Sequence, residues 1–460
     1  MELPLLFTIS LFLIFFLWLG LTKHTNDTDE FHNKNRKIGL WQTSVSVFTV
    51  IGAPHFTFIT FFAFAFGWWP LSLYFGSFVG FIILSFLSKR IRGFIPVDAH
   101  SAAEIGASHS KFAAFTLSLA GGIFSFGALA TQIVTGAVII STLTGVISHE
   151  LAIIVLCIVI ILYLLPGGYA SLIVTDFYQG IASLILAALL ASVLVSNVGL
   201  PQLLIASDFR KIFNPPEIMI MLFFAGVFIE LGAPVNWQRI LTAEDNKTAR
   251  SSMILGGSLV LLGGSIICLI GISIATLYPD MAPQNAFVEY ISTHLSNEFK
   301  LVAVALLLFT LLSTADSALY VTTIMAEKEY LRRIGEKTDN LDITMTRIVI
   351  IILGCSLCIV ASLFPKEVEG AFGILLNIGF FTGPLAISIL LRRGGVNVET
   401  QKITYITALF ISLLGFCYVL LFVGGQFLSY WSFLLIIPAC IPLLIPGPET
   451  INNESMKNKD

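Results

Sequence analysis

Charge is scarce in this chain. Asp, Glu, Lys and Arg make up 12% of its 460 residues, about half the share usual in soluble domains. The balance is nearly even, with a net charge of −3, so there is no basic stripe for nucleic acid and no acidic tract for basic partners. Cysteine is nearly as sparse. Cys157, Cys268, Cys355, Cys358, Cys417 and Cys440 all fall inside apolar runs, where neither a disulfide framework nor a thiolate metal site is expected. Cys355 and Cys358 form a C-x-x-C, but a lone pair on an apolar helix reads as small packing residues rather than a redox site. Ser-His-Asp order, a glycine-rich phosphate loop, a zinc-type His cluster and a metalloprotease helix are all missing, which leaves an enzyme without a motif.

What is abundant is hydrocarbon. Hydrophobic residues reach 56% and the mean hydropathy is +0.91, values that define an all-α polytopic membrane protein. The apolar blocks approach the ~20 residues a helix needs to cross the ~30 Å hydrocarbon layer. Thirteen are expected, at residues 4–21, 38–66, 70–87, 112–143, 151–165, 171–195, 218–235, 252–277, 301–325, 345–363, 371–391, 404–423 and 430–445. The first has no basic n-region and no small-residue cleavage site, and is read as a retained span rather than a signal peptide. With the N-terminus outside and the C-terminus inside, all of the 25 basic residues except Arg210, Lys211, Lys300 and Lys366 fall on the cytoplasmic side, as the positive-inside rule requires.

A carboxylate at membrane depth costs ~3 kcal/mol or more and calls for a reason. Asp176, Glu230 and Asp316 lie within expected spans. At 100° per residue, Thr310, Ser313, Asp316 and Ser317 share one broad helix face with Thr314 on its flank. Such an oxygen-rich face suits a small hard cation shedding its water. The plain alternative is that each hydroxyl bonds back to its own helix and Asp316 pairs with a neighbour. A cation site also needs free carbonyls, which only a broken helix offers inside a membrane. The run from Ser46 to His55 contains Gly52 and Pro54, and Pro54 removes a donor and crowds the preceding turn. Carbonyls from Thr49 to Gly52 would then face an ion, or the proline marks a simple kink.

Several segments together resemble one family. Gly167-Gly168, Thr175-Asp176 and Gln179-Gly180 look like the Gly-Gly, Thr-Asp, Gln-Gly signature of the sodium:solute symporters. Ser313-Thr314-Ala315-Asp316-Ser317 is similar to that family's eighth core helix, the stretch from Asn236 to Ala243 to its Gln-Arg segment, and Thr131-Gln132-Ile133 to its third core helix. The resemblance implies a LeuT-like 5+5 inverted-repeat core, with a leading helix at 1–22, repeats at 38–195 and 215–392, two accessory helices at 403–446 and a cytoplasmic tail at 447–460. It implies sodium-coupled symport of a small organic solute across a cell membrane, of the bacterial inner-membrane kind, with Na+ as coupling ion, the lipid bilayer as surroundings, and no nucleic acid and no cofactor.

Carried over residue by residue, the resemblance assigns a sodium site to the carbonyls of Thr49, Gly52 and Thr310 and the hydroxyls of Ser313 and Thr314. A second cation site falls on Asp176, Ser313, Asp316 and Ser317. A solute site falls on Ala53, His55, Phe56, Gln132, Gly226, Glu230 and Asn377. Asp316 stands where members often carry a small or hydroxyl residue, so it implies either a stronger second cation site or a proton acceptor in an H+-coupled carrier. The 96–104 stretch lacks the basic-aromatic end found in the proline, sugar and pantothenate branches. A channel would need a continuous polar stripe, and a sensor an output domain; neither is visible.

Overall fold

The computed structural model describes residues 27–33, 36–93, 110–199, 216–335, 341–364, 368–391, 398–424 and 431–444, with scattered positions among the first 21. The leading span, the 96–104 stretch and the 447–460 tail therefore lie wholly or largely outside the described residues. Among the described residues everything regular is helical. In chain order the helices are α1 (Thr28–Asn33), α2 (Leu40–Phe48), α3 (Thr60–Phe66), α4 (Leu71–Gly93), α5 (Lys111–Thr144) and α6 (His149–Val198). After these come α7 (Pro216–Gly232), α8 (Pro234–Thr242), α9 (Asn246–Leu277), α10 (Ala286–Thr293), α11 (Asn297–Ile334), α12 (Ile343–Leu363), α13 (Val368–Leu391) and α14 (Val398–Tyr418). A π-turn at His55–Ile59 leads into α3, and a run of short turns at Trp431–Leu434, Ile436–Ala439 and Ile441–Leu444 ends the fold. Eight of these helices are long and apolar enough to cross a bilayer singly, and α7 with α8 makes a ninth when taken as one bent span.

Polar residues at the helix starts fix where several spans begin. Ser110 accepts from the Ala113 amide at 3.1 Å, Ser148 from Leu151 at 3.2 Å and Asp245 from Thr248 at 2.6 Å, each satisfying an N-terminal donor that has no partner within its helix. Between helices, small residues permit close approach, as membrane packing favours. A Cβ on Gly226 would meet the Leu73 carbonyl at 2.1 Å, and one on Gly76 the Phe223 carbonyl at 1.9 Å. Gly226, one of the residues expected at the solute site, lets α7 lie directly on α4.

Three breaks interrupt the long helices. The first runs from Thr49 to Gly52, where α2 stops and the chain unwinds before the helix resumes at Ala53 and passes into the π-turn. The second falls at Ala233, where Pro234 opens α8 and the axis turns by 50°. The sequence reading carried that span straight through residues 218–235. Proline at a first helical position costs no hydrogen bond, so it marks a new helix here rather than a defect in an old one. The third break is Gly168 inside α6, at φ 51° and ψ −139°, a conformation that side chains with a Cβ rarely adopt. It separates the two spans expected at 151–165 and 171–195.

Candidate functional site: an ion-ready core beside a small polar cavity

The first two of these breaks and α11 meet in the interior. Loss of regular hydrogen bonding after Phe48 leaves the Thr49 carbonyl free, and Thr314 Oγ1 on α11 donates to it at 2.8 Å. The preceding residue, Ser313, 100° round the helix, donates Oγ to Asp176 Oδ1 at 2.6 Å. Of the expected sodium residues, Thr49 and Thr314 are joined directly, and Ser313 is tied to Asp176. Thr310 lies on the same helix; its carbonyl accepts a long 3.4 Å bond from Thr314, and its own hydroxyl bonds back to Leu307 at 2.8 Å. Gly52 sits on the same unwound stretch, its carbonyl accepting from the His55 amide at 3.0 Å.

Asp176 is the hub. Besides Ser313 it accepts from Ser46 Oγ at 2.5 Å and pairs with Arg239 Nη2 at 3.4 Å. Arg239 was counted from sequence among the cytoplasmic loop charges. The structure corrects this: the bend at Ala233 turns α8 inward, and Arg239 is buried at 2% exposure. Its Nε donates to Ser46 Oγ at 2.8 Å, Nη1 to Asn236 Oδ1 at 3.2 Å and Nη2 to Thr49 Oγ1 at 3.3 Å. A single guanidinium, with its fixed fork of donors, therefore ties α8 to α2 and α6. Ser46 and Asn236, which no sequence argument singled out as ligands, complete that network. Asp316 is fully buried on α11. Its Oδ1 takes the Ser317 amide at 2.5 Å, while Oδ2 and Ser317 Oγ meet no donor or acceptor at bonding distance; the Tyr163 hydroxyl lies alongside.

Next to this core lies a cavity of about 80 Å³ bounded by α5, α7, α8, α11, α13 and the unwound stretch. Of the residues expected at a solute site, His55, Gln132 and Glu230 line it. Glu230 holds Asn236 through Oε2 at 2.8 Å. His55 Nδ1, Gln132 Oε1, Ser125 Oγ and Ser317 Oγ are buried without hydrogen-bond partners, and all four residues face this space. Ala53, Phe56, Gly226 and Asn377 do not line it. Phe56 packs on Phe287 at 5.8 Å between ring centres, and Asn377 receives Ser432 Oγ at 2.5 Å, tying α13 to the terminal turns. The Gln132 amide lies so close to Gly52 that a Cβ there would sit 2.2 Å from Nε2. Among the described residues no three His, Cys, Asp or Glu converge to hold a metal ion, so the oxygen donors here are hydroxyls, carbonyls and single carboxylates.

A helical bundle with two broken helices facing each other across a buried polar centre defines a membrane transporter, in which unwound backbone lines a cavity rather than lipid. The sodium:solute symporter family model matches residues 31–392, and the chain belongs to that family. Among solved structures the fold is similar to a Na+-coupled sialic acid symporter in a substrate-bound outward-open state. That match has 16% identity and a TM-score of 0.80, and covers 95% of this chain and 96% of the other. It is also similar to a nucleobase-cation-symport-1 family transporter in a closed conformation with bromovinylhydantoin bound. There the identity is 16% and the TM-score 0.53, covering 89% and 93% of the two chains. No curated protein matches the sequence.

Proposed function

We propose that this transporter carries a small organic solute by sodium-coupled symport, with thirteen crossings, the N-terminus outside and the C-terminus in the cytoplasm. The sodium ligands in this reading are the Thr49, Gly52 and Thr310 carbonyls and the Ser313 and Thr314 hydroxyls. The observation that carries this reading is the 2.8 Å bond from Thr314 Oγ1 to the Thr49 carbonyl: an oxygen of the eighth core helix already touches the unwound first one. A cation inserted between them would draw the two helices together, and its loss would release them, which is the linkage alternating access requires. Uptake into proteoliposomes with sodium outside, against choline, tests the coupling.

Charge balance supports the same reading. Asp176, Glu230 and Asp316 are buried opposite Arg239. Ionised, they leave two negative charges, and charge at this depth must be met by cations or protons. Sodium supplies one. The second is a cation at Asp176, Ser313, Asp316 and Ser317, or a proton on Asp316, whose Oδ2 meets no donor. Sodium-free uptake that rises at acid pH would establish the proton form. For the solute, Glu230 and the unpaired Gln132, Ser125 and Ser317 oxygens favour a donor-rich molecule, an amine or a polyol.

A further inference from the structure

A second, much larger space lies away from the transport site. It is a groove of about 760 Å³ between α5, α11, α12, α13 and the turn after α14. Its walls are almost wholly apolar. Along α5 it runs from Phe115 to Gly127, about 18 Å at the helical rise. That length matches one leaflet's share, about 15 Å, of the bilayer core.

One end of the groove differs from the rest. On α11 the lining residues recur at helical spacing, Thr322, Met325 and Glu329, and the same stripe continues into Arg332 and Arg333. Arg333 donates Nε to Glu329 Oε1 at 3.1 Å and lies 4.8 Å above the Phe115 ring. Arg332 Nη1 binds Glu329 Oε2 at 2.5 Å, but its Nη2 is buried with no acceptor. One turn before Phe115, Lys402 of α14 lies 5.9 Å from the Phe112 ring, and Lys111 opens α5. Arg332 and Arg333 thus share a single lining acid, Glu329, while Lys111 and Lys402 lie at Phe112, one turn before Phe115 on α5. One turn deeper on α5, Ser118 Oγ is buried without a partner and faces the groove.

We infer that this groove holds an anionic phospholipid, its acyl chain along α5 and its phosphate on Arg332 and Arg333. The arrangement supplies each part of such a molecule in order of depth. A phosphate oxygen gives Arg332 Nη2 its acceptor, in the charge-assisted geometry guanidinium favours. Ser118 meets the glycerol esters, and the apolar wall takes the chain. Cations at a membrane surface draw anionic headgroups, and the Phe112 and Phe115 rings hold the long side chains at interfacial depth. Because the groove is built from α5, α11 and α14 together, the lipid would bridge two core helices and a helix that follows the core.

Native mass spectrometry of the purified full chain tests this, with dioleoyl phosphatidylglycerol and dioleoyl phosphatidylcholine added separately. One bound phosphatidylglycerol is expected to persist at energies that strip phosphatidylcholine. A double Arg332→Gln, Arg333→Gln variant should bind phosphatidylglycerol about thirtyfold more weakly, from ~1 kcal/mol per cation. Gly122→Leu gives an independent check, since an added Cβ there meets nothing within 4 Å and the side chain enters the groove. It should exclude the lipid while leaving the melting temperature of delipidated protein unchanged. Glu329→Gln frees both guanidinium groups and should tighten binding. Equal retention of the two lipids, unchanged binding in both Arg332→Gln, Arg333→Gln and Gly122→Leu, or displacement by inorganic phosphate alone would overturn the assignment.

Discussion

Asp176 shows how one carboxylate organises this interior. Its two oxygens are divided between Ser313 on one side and Ser46 with Arg239 on the other. Asp176→Asn keeps the shape but removes the carboxylate that pairs directly with the buried Arg239. Removing one partner of a buried pair costs about 3–5 kcal/mol, so thermal unfolding in detergent should move well below wild type, and Arg239→Gln in the same background should recover part of the loss. Gly52 makes a separate point. Gly52→Ala drives a Cβ into the Gln132 amide, whose flexible end can swing aside only into the cavity. Transport should fall at least tenfold while the fold survives, as read by uptake alongside the melting temperature. Asp176, Glu230 and Asp316 were legible in the sequence because charge inside an apolar run is conspicuous. Arg239 was not, because it lies in a short polar stretch after an apolar span, which reads as a loop until the bend at Ala233 turns it inward.

At the scale of elements, the breaks matter more than the spans. Pro54 announced the first break, since proline inside an apolar run must end or kink a helix. Pro234 announced the second only in hindsight, because at N1 it also fits an ordinary helix start. The small helix α1 could not be read at all: its sequence is polar, and what orders it is docking. Its Phe31 carbonyl sits 2.6 Å from where a Cβ of Gly168 would be, and Tyr320 donates to the Phe31 and His32 carbonyls at 3.3 and 3.1 Å. Gly168→Ala therefore meets both an unfavourable φ and that carbonyl. A cost of about 1–3 kcal/mol is expected from the backbone alone, with faster hydrogen exchange over residues 28–33 as its signature.

The same helix is expected to respond to acid. His32 bonds Thr28 and Thr346, and Thr346 in turn donates to Glu327. Burial lowers the His32 pKa from 6.5 to about 4, with Lys328 adding to the fall and the Thr28 carbonyl and Asp342 opposing it. A histidine whose docked pKa is depressed binds fewer protons docked than free, so its contribution is complete above pH 6.5 and is lost as pH falls toward 4. Exchange at 28–33, corrected for intrinsic rate, should accelerate across that window, and His32→Gln should flatten the response. An unchanged pH profile in that variant would remove His32 from the docking.

For the whole molecule, hydropathy and family resemblance gave the helical class and the sodium:solute symporter assignment, because both depend on composition and on short ordered motifs. Of the expected solute residues, His55, Gln132 and Glu230 line the cavity and Ala53, Phe56, Gly226 and Asn377 lie outside its lining, a division set by which way each helix is turned, which composition and motifs do not encode. In the proposed mechanism a sodium ion sits between the unwound first core helix and α11. Equilibrium binding of radiolabelled sodium to purified protein measures this most directly. Saturable binding is predicted for the wild type and for Glu230→Gln, with at least a tenfold loss of affinity in the Ser313→Ala, Thr314→Ala double variant. Undiminished sodium binding by that double variant would contradict the site.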